Sequence, residues 1–538
     1  MLVIDRALPG TQLPRGSASL NLVWLKSSRG TARRSLEAVR SQAEPYLLPT
    51  SQLTNRTIYV LYRILLMDKR GCHGRLLLFR VGTKNFETVD LGDRRRTRRL
   101  LYSAAKIAAH PEQPFNQVFD WNELRGFYGV CHKETATLSA IQGPHWQQTR
   151  ADMAKQPLVL ILHDTTEIDF TSHTALEGAG PIGDGEGRGF LQHNSLAVLP
   201  EPRQVLGLAY QQWHVRKEAP ANEHSSKRKR RDRESALWLR GIEATGRPPE
   251  GCRWVDVGDR GADIYEAMVA AQAQGHDFVF RLTQNRQVWE SPERDKWTKL
   301  RDHARSLVSQ GQDRVEIPSR GGRDAREARE AEVELAAAPV WIPAPSGTRQ
   351  RMAQPVVAAW VVRIWEANPP KGTEGLEWIL ITSVPTHTLA DLRERRDWYA
   401  CRWMVEIFHD IEKNGCSEED RRFETAQRME ACLAILSLVA VRIFQLRTAL
   451  TSIPDAPAEQ VASAEEIQVV RRAIKHGRGR FSVRDFVRGV ARLGGFLGRK
   501  GDGEPGVKTI WRGYQRLQDL LLGYQLRGPS HEKDVGNR

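Results

Sequence analysis

The sequence predicts an α/β protein, and three stretches carry that prediction. PLVLILHDTTEIDF holds a continuous apolar run from Leu158 to Leu162 ending in His163 and Asp164, the pattern of a fully buried strand with Asp164 at its end. RWVDVGDRGADIYEAMVAAQAQG reads as a second short strand that reaches Asp259 and passes into a helix. WYACRWMVEIFHDIEKNGC, from Trp398 to Cys416, can be drawn as one helix with two faces. At about 100° per residue, Ala400, Trp403, Met404, Ile407, Phe408 and Ile411 form an apolar stripe. Tyr399, Arg402, Glu406 and Lys413 fall within about 60° of arc on a neighbouring stripe, so one carboxylate stands among two cations and a phenol. By periodicity alone the solvated face of an amphipathic helix is the favoured reading.

The 538 residues exceed one ordinary domain and predict two to four modules. Eighty Lys and Arg against 65 Asp and Glu give a formal charge of +15, which points to a polyanionic partner, nucleic acid first. Cys72, Cys131, Cys252, Cys401, Cys416 and Cys432 contain no CxxC pair, which argues against a zinc ribbon or disulfide framework and suits a reducing compartment. The longest apolar run, Ala431 to Val441, is too short to span a bilayer. No signal-peptide pattern opens the chain. The expectation is a cytoplasmic, nucleoid-associated protein with no membrane partner.

Residues 1–84 mix Pro, Gly, Ser and Arg without period and are expected to be a mobile arm or the product of a misplaced start. From Leu91 to Arg150 the pattern is helical, with Asp93 as N-cap and Arg94, Arg95, Arg96, Arg98 and Arg99 crowding two turns. Such a helix start suits phosphate contacts, although a solvated face has the same composition. GPIGDGEGRGF lacks the GKS or GKT of a nucleotide loop and reads as a flexible turn before the strand HNSLAVL. VLGLAYQQWHV is a strand, followed by a polar excursion with KRKRR at its centre, a solvated or DNA-skimming loop rather than a localisation signal. Asp256 rivals Asp259 but lies inside its strand. Phe278 to Leu282 is another strand, and strand-like segments fill about 289–380. MEACLAILSLVAVRIFQLR is a long buried helix, and helices separated by loops follow from about 454.

The set Tyr-x2-Arg-x3-Glu-x6-Lys arises by chance in a chain of this length roughly once in a few hundred cases. It resembles the Y-R-E-K signature of the DDE transposases of the IS-four family, Tn5 type. The resemblance implies that Glu406 is the third metal-binding carboxylate and that Tyr399, Arg402 and Lys413 hold DNA phosphates. It assigns Asp164, in DTT, as the first catalytic aspartate. Asp259 becomes the second, in DRGAD, where Gly261 replaces the family's glutamate and Asp263 serves local structure. Arg281 falls where the family keeps a DNA-contacting arginine, but Thr283 replaces a lysine two residues on. Trp378, 28 residues before Glu406, matches a tryptophan on which a flipped base stacks; a Trp in a strand also serves as core. Arg95, Arg96 and Arg99 belong to the implied end-binding domain. The likeness starts near Asn85, in NFETVDLGDRRRTRRL, where Val81 stands in place of an expected tryptophan, and its last blocks are ARLGGF and WRGYQRLQDL.

What the family implies is a ribonuclease-H-like α/β catalytic core over 151–453 with a β-rich insertion at about 289–380. Small helical domains flank it, DNA-end-binding over 85–150 and dimerising over 454–538. The three carboxylates would hold Mg2+, with Mn2+ as a substitute, and His409 would be a hydrogen-bonded bystander. The expected activity is cut-and-paste transposition through nicking, hairpin formation, hairpin opening and strand transfer. The expected partners are double-stranded DNA, as terminal inverted repeats and target, and a second copy of the chain. A catalytically dead DNA-binding remnant and a metal nuclease without strand transfer remain the alternatives.

Overall fold

A computed structural model describes residues 88–217, 233–317, 328–346, 354–477 and 479–526. The arm expected over 1–84 and the KRKRR run lie outside the described residues.

The described chain opens with four helices, α1 (Arg94–Ala109), α2 (Phe115–Val118), α3 (Trp121–Cys131) and α4 (Leu138–Met153). Asp93 caps α1, accepting from the backbone N–H of Arg95 and Arg96 at 2.8 and 3.1 Å, which satisfies donors that a helix start leaves free. A capping box of Asp120 and Glu123 starts α3 in the same way. Phe127 closes the group, 5.3 Å edge-on from Phe115 and 5.4 Å stacked on Phe119.

The strands are β1 (Leu158–Asp169), β2 (Gly180–Ile182), β3 (Gly187–Leu199) and β4 (Gln204–His214). Helix α5 (Ser235–Thr245), β5 (Arg253–Gly258), α6 (Tyr265–Gln274) and β6 (Asp277–Arg281) follow. β1 pairs antiparallel with β3, and β3 with β4, while β1, β5 and β6 run parallel. An antiparallel meander continued by parallel strands with crossover helices is the ribonuclease-H-like arrangement expected from the sequence. The glycine-rich GPIGDGEGRGF is not a free turn: it forms the β2–β3 hairpin, pairing Gly180 with Gly189 and Ile182 with Gly187. Nor does β1 end at Asp164; pairing with β3 carries it five residues further, to Asp169.

The sheet then extends through β7 (Gln287–Trp289), β8 (Trp297–Lys299), helix α7 (Leu300–Ser306), β9 (Gly311–Ile317), β10 (Arg329–Pro343), β11 (Val356–Trp365) and β12 (Glu377–Thr382). β12 pairs antiparallel with β6, so these strands prolong the central sheet from its parallel edge. Helices α8 (Leu389–Ala400), α9 (Trp403–Asp410) and α10 (Ala426–Ser452) return across it. Alternation along the strands sorts the two faces. Leu160, Leu162, Val255 and Val257 join the cluster that contains α10, whereas Val159, Ile161 and Trp254 pack on the other side. Among the described residues α10 is the one helix long and apolar enough to cross a membrane, and it is largely buried among its neighbours.

Three helices close the described chain, α11 (Ala464–Ala473), α12 (Val483–Leu493) and α13 (Val507–Leu526), around the end of α10 through Leu446, Phe486, Val490, Ile510 and Leu517. A side chain at Gly513 would meet the Val490 carbonyl at 1.7 Å, and one at Gly494 the Thr509 carbonyl at 2.1 Å. Both glycines are required by the close backbone crossing of α12 and α13, which accounts for the ARLGGF stretch.

Candidate active site

β1 brings the first carboxylate into place. Its register with β5 pairs Leu162 with Val257 and His163 with Gly258; one step further sets Asp164 beside Asp259, just past the end of β5. Asp164 accepts the Thr165 backbone N–H at 2.8 Å. Asp259 caps a short 3-10 turn, accepting from the Gly261 N–H at 2.7 Å. Helix α9 packs on β1 and supplies Glu406. Between them lies Arg402, 2.6 Å from the Glu406 carboxylate and 3.6 Å from that of Asp164.

Burial first, and then the negative charge of Asp259 with a smaller contribution from Glu406, push Asp164 up to about 7 against the pull of Arg402 and the Thr165 N–H. Three carboxylates without Cys or His are the donor type of a hard divalent cation such as Mg2+, and the crowding of negative charge on Asp164 is what such a cation would relieve. The donor set therefore fits the ion in kind. As the side chains stand, however, among the described residues no three His, Cys, Asp or Glu side chains are gathered as a metal site, and the Arg402 guanidinium supplies the positive charge between Asp164 and Glu406.

The single helix drawn from Trp398 to Cys416 is in fact broken twice. Across Cys401 and Arg402 the chain tightens: Arg402 N–H bonds to the Tyr399 carbonyl, Met404 to Cys401 and Val405 to Arg402, all three residues apart. Each such residue advances about 120° instead of 100°. Trp403 and Ile407, at one edge of the expected apolar stripe, are 47% and 40% exposed, while Met404, Phe408 and Ile411 are buried. After Asp410 the residues Ile411–Gly415 form a π turn, a form frequent at functional sites. Glu412 anchors it, wholly buried, accepting from Gln192 at 2.9 Å and Gln211 at 3.3 Å.

Of the Y-R-E-K set, then, Arg402 forms an ion pair with Glu406 and lies near Tyr399, whose carbonyl accepts its backbone N–H. Tyr399 is buried, its ring 5.1 Å and nearly edge-on from that of Trp378 on β12. Trp378 itself is half-buried, neither wholly core nor freely exposed. Lys413 turns towards Glu419, 3.6 Å away. Arg281 ends β6, half-buried and donating to the Glu377 carbonyl at 3.4 Å. On α1, Arg95 is exposed and Arg96 half-buried, while Arg99 lies under α3, its guanidinium 2.9 Å from where a side chain at Gly126 would start. The expectation of a hydrogen-bonded His409 is corrected: its buried Nε2 has no partner among the described residues. Burial, then Lys413 and Arg402, drive its pKa down to about 3.

Two positions singled out in the sequence have these surroundings. Asp256 belongs to the face opposite Asp164 and is wholly buried between His163 and His276; no substrate reaches it. Gly261, where the family has glutamate, lies against the buried Trp238 indole, which a Cβ there would meet at 2.7 Å. No sequence signal linked these two positions, 23 residues apart.

Comparison with known families finds three matches in chain order. A transposase DNA-binding domain matches residues 82–135, a transposase DDE domain residues 220–442, and a Tn5 transposase dimerisation domain residues 438–528. The DDE match contains Asp259 and Glu406 and begins downstream of Asp164. DNA-binding helices, a DDE core and a dimerisation region thus follow one another as the fold lays them out, and the protein belongs to the Tn5-type DDE transposases.

Proposed function

We propose that this transposase cuts and joins DNA at the ends of its own element by a cut-and-paste route that includes a hairpin intermediate. Asp164, Asp259 and Glu406 would hold Mg2+, with Mn2+ as a substitute. The observation that carries the reading is the β1–β5 register, which brings Asp164 beside Asp259 on the face where α9 delivers Glu406. When bound, the ions supply activation of the attacking hydroxyl and stabilisation of the departing phosphodiester oxygen.

The protein's own groups carry the remaining work. Arg402, once released from the carboxylates, would be a charge-assisted donor for a scissile-strand phosphate. Tyr399 and Trp378 form one aromatic corner, on which Trp378 offers a partly open face to an unstacked base. Lys413, Arg281, the exposed Arg95 and the half-buried Arg96 at the start of α1 add phosphate contacts, with Arg99 packed against α3 at Gly126. The dimerisation match favours a pair of chains holding two ends together.

Incubating the full chain with Mg2+ and DNA carrying the element's terminal inverted repeats tests the reading. Nicked, hairpin and joined products are expected in sequence. Nicks without hairpins or joining would reduce the protein to a metal nuclease, and end binding without any nick would make it an inactive remnant.

A further inference from the structure

Behind the two aspartates, on the opposite face of the sheet, lies a hydrogen-bonded chain closed to solvent. Ser195 Oγ on β3 stands 3.1 Å from His163 Nδ1 on β1, and His163 Nε2 stands 2.9 Å from one oxygen of Asp256 on β5. The other Asp256 oxygen is 2.9 Å from His276 Nδ1, and His276 Nε2 is 2.7 Å from the Gly246 carbonyl. The side chains of His163, Asp256 and His276 have no exposed surface.

Atom types determine where the protons are. A carbonyl and a carboxylate can only accept, so His276 must carry a proton on both nitrogens and is an imidazolium. His163 donates from Nε2 to Asp256, while its Nδ1 and the Ser195 hydroxyl share a hydrogen bond that either group can donate. The chain is therefore one buried ion pair with every named donor matched to an acceptor, the condition under which buried charge is tolerated. The raised pKa of His276, which Asp256 sustains against burial, agrees with that count.

Resting on the carboxylate assignment proposed above, we infer that His163, Asp256 and His276 are positioning residues that fix β1 against β5 and thereby hold Asp164 and Asp259 at the separation a shared cation needs. His163 immediately precedes Asp164, Asp256 lies three residues before Asp259, and His276 leads into β6. The chain thus runs from β1 next to Asp164, through the middle of β5, to the residue that enters β6. Its reach back to Ser195 ties the antiparallel partner of β1 into the same layer.

The test is Mn2+ binding to the full-length, DNA-free protein, followed by electron paramagnetic resonance well below the melting temperature. Asp256→Asn puts an amide donor against one of two histidine donors and is expected to weaken Mn2+ binding about 10- to 100-fold, the usual effect of losing an outer partner of a metal site. Ser195→Ala, a milder change that keeps the ion pair, is expected to weaken it by about threefold, short of that range. Val487→Ala, a cavity in the distant α12 that also lowers the melting temperature, is expected to leave affinity within about twofold of wild type. Wild-type affinity in Ser195→Ala and in folded Asp256→Asn, while Asp164→Ala abolishes binding, would overturn the inference alone. Wild-type affinity in Asp164→Ala would overturn the carboxylate assignment and the inference with it.

Discussion

The Arg402 guanidinium lies 2.6 Å from the Glu406 carboxylate, one helical turn away, and reaches 3.6 Å to Asp164 on a different element. A residue expected to hold DNA is therefore the ion-pair partner of two of the carboxylates proposed to hold metal. If these carboxylates take a divalent cation, its entry and the release of Arg402 towards a phosphate would be one exchange.

Removing the competitor exposes that exchange. Arg402→Gln should bind Mn2+ about tenfold more tightly than wild type without DNA, because a hydrogen bond to a charged group is worth roughly 1.5 kcal/mol. Affinity for end DNA should fall in the same variant. Calorimetric titration with Mn2+ and a gel-shift series measure the two; unchanged or weaker metal binding counts against the exchange.

Trp378→Ala separates steps. An aromatic face matters only once a base has left the duplex, and stacking is worth about 1 to 3 kcal/mol. Hairpin formation should slow roughly 5- to 150-fold with nicking and end binding spared. Equal loss of both steps with a large fall in melting temperature would instead assign Trp378 to packing against Tyr399.

Gly261→Ala should cost about 1 to 3 kcal/mol, because its new carbon meets the buried Trp238 indole at 2.7 Å. In a Trp238→Leu background most of that penalty should vanish. A double-mutant cycle by chemical denaturation gives the coupling energy, and additive costs would mean that the indole is not the obstacle.

Buried Glu412 is pushed up to about 8 by burial. Since its ordinary value is 4.5, the unfolded chain loses this proton first. Stability should therefore fall as pH rises from about 4.5 towards about 8. Glu412→Gln should flatten the slope in part, with buried Glu418, raised in the same direction, keeping the remainder. Melting temperatures of both proteins across that range check the sign; identical slopes would contradict it.

Much of the fold was legible because it rests on strong periodic signals. The apolar run before Asp164, the strand before Asp259 and the long helix after Glu406 occupy their expected places as β1, β5 and α10. The break at Cys401 and Arg402 was not legible, since tighter turns leave no mark in composition and both helices have the right period on their own. The exposed edge at Trp403 and Ile407 was not legible either, because an apolar stripe does not reveal how wide an arc its neighbours cover. Nor could the role of Asp256 be read from the sequence, because its partners, His163 and His276, come from strands that only the register brings together. The Gly261 substitution was visible as a departure, but its reason lay in Trp238, on a helix before β5.

The most direct test is to replace Asp164, Asp259 and Glu406 singly with Ala and to measure Mg2+-dependent nicking of end DNA alongside end binding in the same preparations. Loss of a catalytic metal ligand removes a large share of transition-state stabilisation. Each variant should bind end DNA nearly as wild type does and fail to nick it. Nicking near the wild-type rate by any one of the three would contradict the assignment of that carboxylate.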